Sequence, residues 1–112
     1  MLEPAALRTL CLAAVAGAGL QAVGELFHRF PAPGGVTGVV LLAESHLAVH
    51  TWPELGGVTL DVYVCNLNGD NSERAEALLA ALETAFGASQ SERHRLQRGG
   101  PAREGWWLKA QG

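Results

Sequence analysis

Residues 36–52 read VTGVVLLAESHLAVHTW, and this stretch decides the fold. Its first half is a continuous apolar run rich in β-branched residues, which predicts a buried strand. Its second half, from His46, alternates apolar and polar residues, which predicts a strand with one covered face. VTLDVYVC, residues 58–65, alternates in the same way after a turn over residues 53–57. We therefore expect the two alternating runs to form an antiparallel hairpin.

Helical patterns lie on both sides of this hairpin. EPAALRTLCLAAVAGAG, residues 3–19, has a proline at a first-turn position and glycines at its end, which is typical of a helix. SERAEALLAALETAF, residues 72–86, predicts a second helix that Gly87 ends. Its apolar stripe suits packing on one face of a sheet.

Two further strands are predicted, and one segment is left open. LQAVGELFHRF, residues 20–30, predicts a strand that Pro31 stops, and SERHRLQRG, residues 91–99, predicts an edge strand. PAREGWWLKAQG, residues 101–112, is ambiguous. The pattern as a whole predicts one α+β domain over residues 1–112, a two-layer α/β sandwich with a mainly antiparallel sheet and two helices on one face.

Composition excludes several classes of function. The chain has 112 residues, 48% hydrophobic and 17% charged, with a formal net charge of −3, which argues against nucleic acid as a partner. The uncharged segment from Thr9 to Gly24 is too short and too rich in glycine and alanine to span a bilayer, and no basic region precedes it. We expect a cytoplasmic protein with no membrane partner. Two cysteines, Cys11 and Cys65, are too few for a disulfide framework.

Strand alternation divides the hairpin into two faces. Leu47 and Val49 should lie on the side that the helices cover. His46 and His50 should lie on the other side, together with four residues of the next strand, Thr59, Asp61, Tyr63 and Cys65. That second face is polar but lightly charged, which indicates a pocket wall or a subunit interface. Ser45 is five residues from His50, so a straight strand puts the two on opposite faces, and chemistry joining them needs a bend at Glu44–Ser45.

Conventional sites fit these residues poorly. A hydrolase triad of Ser45, His50 and Asp61 lacks the G-x-S-x-G turn that exposes such a serine. A metal site of His46 and His50 fails because four residues of strand separate the rings by ~13 Å. Taken one at a time, these side chains have ordinary structural interpretations: backbone hydrogen bonding for His46, core packing for Phe30 and Trp52, and a small buried side chain for Cys65.

The joint spacing is more specific than any single residue. FHRF, GVTGVVLLAESHLAVHTWPE and LDVYVC put a histidine five residues after Ser45 and a cysteine twenty residues after it. Together, from Leu20 to Phe86, these motifs resemble the bacterial S-adenosylmethionine decarboxylase proenzyme family. Members of that family carry a pyruvoyl group made from an internal serine.

The resemblance implies self-processing. The Ser45 hydroxyl attacks the Glu44 carbonyl, and the chain is cleaved between Glu44 and Ser45 into a beta chain, 1–44, and an alpha chain, 45–112. By resemblance His50 is the processing base, and an imidazole is the side chain most often used for proton abstraction near neutral pH. The covalent pyruvoyl group then forms a Schiff base with the substrate amine, and Cys65 matches the proton donor. Neither a metal nor pyridoxal phosphate is implied.

The resemblance also implies partners. S-adenosylmethionine is the expected substrate, with Phe30, Trp52 and Glu54 in its binding site, and decarboxylation would supply the aminopropyl donor for spermidine. A homodimer of processed protomers is expected.

Two alternatives stay open at this point. Family members usually begin with a strand of the GxHLxxDxxxC kind, which does not precede the first helix here. Either the sequence starts late or the protein lacks this edge strand, and the loss of the strand would expose a sheet edge. One alternative is then an unprocessed, non-catalytic homologue that serves as a binding or dimerisation module. The other is a decarboxylase of ornithine or arginine, because pyruvoyl chemistry requires only an α-amino acid.

Overall fold

Strands and helices follow one another in a computed structural model that describes residues 3–31, 34–43, 45–52, 56–65, 72–87, 90–97 and 103–111. In chain order the elements are α1 Pro4–Gly17, β1 Ala22–Arg29, β2 Val36–Leu42, β3 Ser45–Trp52, β4 Gly57–Cys65, α2 Ser72–Phe86, β5 Gln90–Gln97 and β6 Arg103–Gln111. The α+β class predicted from the sequence is confirmed.

All neighbouring strands of the sheet are antiparallel, in the order β1-β2-β3-β4-β6-β5. Because β4 and β5 both run antiparallel to β6, they are parallel to each other, and α2 connects them across a gap one strand wide. β6 fills that gap. The C-terminal segment that the sequence left ambiguous is therefore an internal strand, and β5 is an edge strand, as predicted.

Both helices pack on one face of the sheet. α1 contacts β1 and β2, α2 contacts β4 and β6, and the two helices contact each other. In α1, Leu7, Cys11 and Val15 recur every four residues, so they form one buried stripe. The buried residues of α2 are Ala75, Leu78, Leu79 and Leu82, which are those of the predicted stripe.

The strands bury alternate residues beneath these helices. Leu47 and Val49 on β3 are 0% exposed. On β4, Val62, which lies opposite Leu47, and Val64 are also 0% exposed. The cross-strand pairs Leu47–Val62 and Val49–Leu60 put these residues on one face. We call this the covered face of the sheet, and the opposite side the open face.

Glycine is needed at two places in this packing. Gly87 ends α2 with φ of 63°, a conformation that glycine adopts without steric cost. Gly38 on β2 lies directly opposite Phe27 on β1, and a Cβ at position 38 would lie 2.2 Å from the phenyl ring. The absence of a side chain at Gly38 therefore lets the Phe27 ring lie over the sheet and pack against the core.

No helix or second sheet covers the open face within the described residues. Leu26 and Leu41 are 70% and 49% exposed there. Among the helices described, none is long and apolar enough to cross a bilayer.

Candidate active site

Ser45 is the first residue of β3, just after the turn from β2. It pairs with Leu42, so the turn contains only Ala43 and Glu44, and Glu44 lies outside the described residues. The Ser45 hydroxyl donates a hydrogen bond to the carbonyl oxygen of Ala43, at 3.3 Å. Residues Gly19, Leu20, Gln21, Leu42, Ala43, Ser45 and Arg74 line a cavity of about 160 Å³ at this end of the sheet.

His50 lies on the open face, five residues along β3. Its Nδ1 is 3.1 Å from the Thr37 hydroxyl, directly across the strand pair. The ring centroids of His50 and Trp52 are 6.3 Å apart. Sequence reasoning missed Thr37, although the cross-strand register that a two-residue turn at 43–44 imposes would have placed it beside His50.

Ser45 and His50 are on opposite faces of β3, as the sequence indicated. The alternation that buries Leu47 and Val49 is unbroken from Ser45 to Trp52. Five residues of strand put about 16 Å between the two positions. The two side chains of one chain are therefore not brought together.

Cys65 is the last residue of β4, and nothing is described of its side chain. Its backbone pairs with Arg103 of β6. On the other side of β4, His46 pairs with Tyr63, two residues before Cys65. The end of β4 is therefore level with the turn that precedes Ser45.

His46 makes a side-chain contact rather than the backbone contact expected for it. Its Nε2 is 3.2 Å from a carboxylate oxygen of Asp61. Its ring stacks on Tyr63, with centroids 5.6 Å apart and planes 8° from parallel. Asp61 is therefore engaged by His46, and the arrangement of Ser45, His50 and Asp61 is not that of a hydrolase triad.

Phe30 and Trp52 are not core residues. Phe30 is 46% exposed and meets His28 edge to face, with ring centroids 4.8 Å apart. Trp52 is 41% exposed, and its Nε1–H donates to the Thr59 hydroxyl at 3.2 Å. Glu54, the third expected binding residue, lies outside the described residues.

The part of the chain that the structure describes contains no cluster of metal-ligating side chains. No group of three or more histidine, cysteine, aspartate or glutamate side chains is placed to hold an ion there. The other described cysteine, Cys11, is buried under the helices, and this burial raises the pKa of its thiol from 9.0 to about 12. A thiol that stays protonated at neutral pH is a packing group and not a nucleophile.

Comparisons with known proteins agree on one family. The profile of the S-adenosylmethionine decarboxylase family matches residues 1–99. The S-adenosylmethionine decarboxylase proenzyme of Acidithiobacillus ferrooxidans is 44% identical over 88 residues, covering 79% of this chain and 62% of the relative. That of Archaeoglobus fulgidus is 44% identical over 82 residues, covering 73% of this chain and 69% of the relative.

A solved structure has the same fold. The adenosylmethionine decarboxylase from Aquifex aeolicus superposes with a TM-score of 0.65 at 38% identity, covering 75% of this chain and 65% of that chain. The present chain spans less than two thirds of the length of the Acidithiobacillus relative. β6, from Arg103 onward, lies beyond the part matched by the family profile. With the profile match covering nearly the whole chain, this protein belongs to the S-adenosylmethionine decarboxylase family.

Proposed function

We propose that this chain is the proenzyme of a self-processing, pyruvoyl-dependent S-adenosylmethionine decarboxylase, a cytoplasmic enzyme that supplies the aminopropyl donor for spermidine synthesis. The observation that carries the proposal is the position of Ser45 in a chain of this family. The residue that would be converted stands at the first position of β3, directly after a two-residue turn. The bond to be cut therefore immediately precedes the first paired residue of β3.

A cut at this bond leaves the fold intact. The beta chain, 1–44, would keep α1, β1 and β2, and the alpha chain, 45–112, would keep β3 to β6 and α2. The β2–β3 pairing would hold the two chains together, from Leu42–Ser45 to Thr37–His50. The shared core under the two helices would hold them as well, because it contains residues of both chains.

Processing makes the cofactor from Ser45 itself. The hydroxyl attacks the Glu44 carbonyl carbon and the acyl group moves from nitrogen to oxygen, giving an ester. A base then removes the Ser45 α-proton, and elimination releases the Glu44 carboxylate and leaves dehydroalanine. Hydrolysis of its imine tautomer by one water releases ammonia and leaves the pyruvoyl group. The cavity beside Ser45, about 160 Å³, leaves room for this rearrangement.

We propose that the base is His50 of the partner subunit. His50 of the same chain is about 16 Å along the strand and on the other face. A two-fold axis level with Leu47 and Ala48, lying between two stacked open faces, would place position 50 of one protomer over position 45 of the other. The Ser45 side chain lies on the covered face, so the partner's imidazole would approach the Ser45 α-carbon, whose proton it removes, from the open face. Stacked sheets lie about 10 Å apart, and a histidine side chain spans much of that gap. Thr37 would orient the ring through its contact with Nδ1, at 3.1 Å.

The open face is suited to such a homodimer. It carries large apolar side chains that the monomer leaves in solvent, among them Leu26 at 70% and Leu41 at 49% exposure. Exposed apolar groups of this kind, mixed with a few polar residues, mark interaction surfaces. Dimerisation would therefore bury apolar area and complete the processing site in one step.

Substrate binding falls to the rim of the same face. Phe30 and Trp52, which lie at the His50 end of the sheet and would therefore reach Ser45 of the other subunit, offer exposed aromatic faces, which suit an adenine ring and a sulfonium cation. Glu54 would accept hydrogen bonds from the ribose hydroxyls. The pyruvoyl carbonyl supplies the electron sink that decarboxylation needs. Cys65 would return a proton to the former α-carbon, so Cys65→Ala should still be cleaved but turn over slowly.

Denaturing mass spectrometry tests the processing step. We expect two pieces of 44 and 68 residues from the chain of 112, and one intact chain from Ser45→Ala. Measuring CO2 release from S-adenosylmethionine, ornithine and arginine then tests the substrate. An intact wild-type chain would favour a non-catalytic module, and release from ornithine or arginine alone would identify a different decarboxylase.

A further inference from the structure

His28 is an exposed histidine that has no part in the reaction described above. Its ring meets the Phe30 ring edge to face, with centroids 4.8 Å apart and planes 84° from parallel. Aromatic pairs favour perpendicular arrangements at centroid distances of about 4.5–7 Å, because the positive edge of one ring faces the negative face of the other. The two rings are therefore in specific contact, and each restrains the plane of the other.

The pair lies at the level of His50 on the open face. His28 on β1 is directly opposite Thr37 on β2, and Thr37 is directly opposite His50 on β3. The three residues form one row across the sheet. Phe30 follows two residues after His28, and its backbone N–H donates to the carbonyl oxygen of Gly35 at 2.9 Å, so the strand pairing continues to this residue. Phe30 therefore lies on the same face, just beyond the row.

The backbone of Phe30 is held by the turn that follows it, but the core does not fix its ring. The Gly34 N–H donates to the carbonyl oxygen of Pro31 at 2.7 Å, and a Cβ at position 34 would lie 2.6 Å from that of Phe30. Among the described residues, Phe27 packs against the buried core, whereas Phe30 is not in that group and is 46% exposed. The orientation of the exposed ring therefore depends on its contact with His28.

A ring that is already restrained binds a planar ligand more tightly than a free one. An exposed aromatic side chain rotates about two torsions, and having to fix it during binding weakens the affinity by about two- to tenfold. In this pair the restraint is present before binding. A perpendicular neighbour also leaves one face of the Phe30 ring open, and a planar base stacks on such a face.

We infer that His28 is a positioning residue, which holds the Phe30 ring in the plane on which a purine base stacks. It acts on the substrate only through Phe30, and the inference rests on the role proposed above for that residue. The imidazole therefore sets the affinity for the nucleoside part of the substrate and takes no part in chain cleavage or in the loss of CO2. The position requires a ring and does not require its polar atoms.

Adenosine binding tests this role without turnover, because adenosine has the base but no amino-acid part that could react. Isothermal titration calorimetry gives the dissociation constant for the protein as purified. We expect His28→Ala to raise this constant about two- to tenfold, since one side chain then has to be fixed on binding. His28→Gln keeps a polar N–H but has no ring, and it should bind as weakly as His28→Ala. His28→Phe has a ring without polar atoms and should bind within about twofold of the wild type.

The control is His94, which lies on the open face of the opposite edge strand, β5. Its side chain is 49% exposed and contacts Glu92 at 3.0 Å. His94→Ala should bind adenosine like the wild type. Equal affinities of His28→Ala and the wild type, or equal losses for His28→Ala and His94→Ala, would overturn the inference. A loss in His28→Phe as large as that in His28→Ala would show that the imidazole itself contacts the ligand, which also excludes a positioning role.

Steady-state kinetics with S-adenosylmethionine separate affinity from chemistry. His28→Ala should be cleaved like the wild type, keep kcat and raise KM by the factor measured for adenosine, because it removes binding that the ground state and the transition state share. A lower kcat at unchanged KM would contradict the inference. A wild-type protein that binds adenosine but releases no CO2 would remove the decarboxylase function and leave the role of His28 standing. A wild-type protein that does not bind adenosine would remove Phe30 as a purine platform, and the inference with it.

Discussion

Adjacent residues of β3 belong to two different environments. Leu47 and Val49 are completely buried under the helices, whereas His46, Ala48 and His50 are partly exposed on the open face and Trp52 is 41% exposed. On the covered face, the buried side chains form one apolar cluster with those of the two helices. On the open face, polar side chains contact each other across neighbouring strands, as in His50–Thr37 and His46–Asp61. One strand thus supplies the core with one set of residues and presents polar side chains on the open face with the other.

Among the described residues one polar side chain, that of Thr51, is buried, and its polar group is satisfied. Thr51 is 3% exposed, and its hydroxyl accepts a hydrogen bond at 2.8 Å from the Val36 backbone N–H. No buried side-chain nitrogen or oxygen lacks a partner in the described part of the chain. Within the described residues, neither face therefore contains an unsatisfied buried polar side chain.

The largest expected effect tests whether His50 of one subunit acts on Ser45 of the other. If His50 acts on the partner's Ser45, neither Ser45→Ala nor His50→Ala should be cleaved alone. Co-expressed, they should form heterodimers in which the intact Ser45 of the His50→Ala chain meets an intact His50. We expect the 68-residue piece only in the mixture, detected by mass spectrometry of differently tagged chains. Cleavage absent from the mixture, with wild type cleaved, would contradict action between subunits.

Replacing one leucine on each face by alanine should change the free energy of unfolding by very different amounts. Leu47→Ala removes a fully buried side chain and should lower the free energy of unfolding by about 2–5 kcal/mol. Leu26→Ala, at a side chain 70% exposed in the monomer, should change the monomer's free energy of unfolding by less than about 0.5 kcal/mol. Urea unfolding in the Ser45→Ala background, at a protein concentration at which sedimentation shows a monomer, provides the comparison. Similar losses for both variants would show that the open face is as well packed as the covered one.

A charge on the open face should weaken the dimer. Leu41→Asp puts a carboxylate where we expect apolar contact between subunits, so the dissociation constant should rise at least tenfold, for a cost of about 1.4 kcal/mol or more. Sedimentation equilibrium measures it. Ala80→Asp, on the exposed side of α2, is the control and should sediment like the wild type. A Leu41→Asp dimer of unchanged affinity would place the interface elsewhere.

The Thr37–His50 contact should affect rate rather than stability. Thr37→Val removes the hydroxyl at 3.1 Å from Nδ1 and should slow cleavage about five- to tenfold, the equivalent of about 1 kcal/mol. Thr37→Ser keeps the hydroxyl and should be cleaved at nearly the wild-type rate. Following the intact chain by mass spectrometry during renaturation gives both rates, and an undisturbed Thr37→Val would remove this residue from the site.

The smallest effect concerns the covered face at alkaline pH. Burial raises the pKa of Cys11 from 9.0 to about 12, so the folded state keeps the thiol protonated where the unfolded chain ionises. Its contribution is fully present below pH 9 and is lost as pH rises towards 12. The stability difference between wild type and Cys11→Ala should therefore shrink above pH 9, by at most about 1.4 kcal/mol per pH unit. A constant difference over that range would contradict the raised pKa.

Much of this structure follows from local pattern. The second helix has the bounds Ser72–Phe86 that its sequence predicted, because its apolar stripe and terminal glycine are local signals. The faces of the hairpin are equally local, since alternation alone assigns Leu47 and His46 to opposite sides. Phe30 and Trp52 are exposed, although each, taken singly, was predicted to pack in the core. That prediction considered the residue type and ignored which face of the sheet the residue occupies.

Other features needed the third dimension. The tryptophan-containing segment from Arg103 to Gln111 is an internal strand because β4 and β5, which α2 connects, lie one strand apart. No local sequence pattern predicts this spacing. Asp61 is fifteen residues from His46, and Thr37 is thirteen from His50. Such pairs depend on the register between strands. That register is set jointly by the lengths of the turns and by which residues must lie on the buried face.

The sequence by itself determined the two helices, the hairpin and its alternation, and the spacing of Ser45, His50 and Cys65 that indicates the family, because each depends on short-range periodicity or on residue order. Tertiary structure alone decided which side chains meet. It separates Ser45 from His50 by the thickness of the sheet and five residues of strand, and it pairs His46 with Asp61. The physical reason is that an extended strand keeps its own residues apart and brings together residues of neighbouring strands.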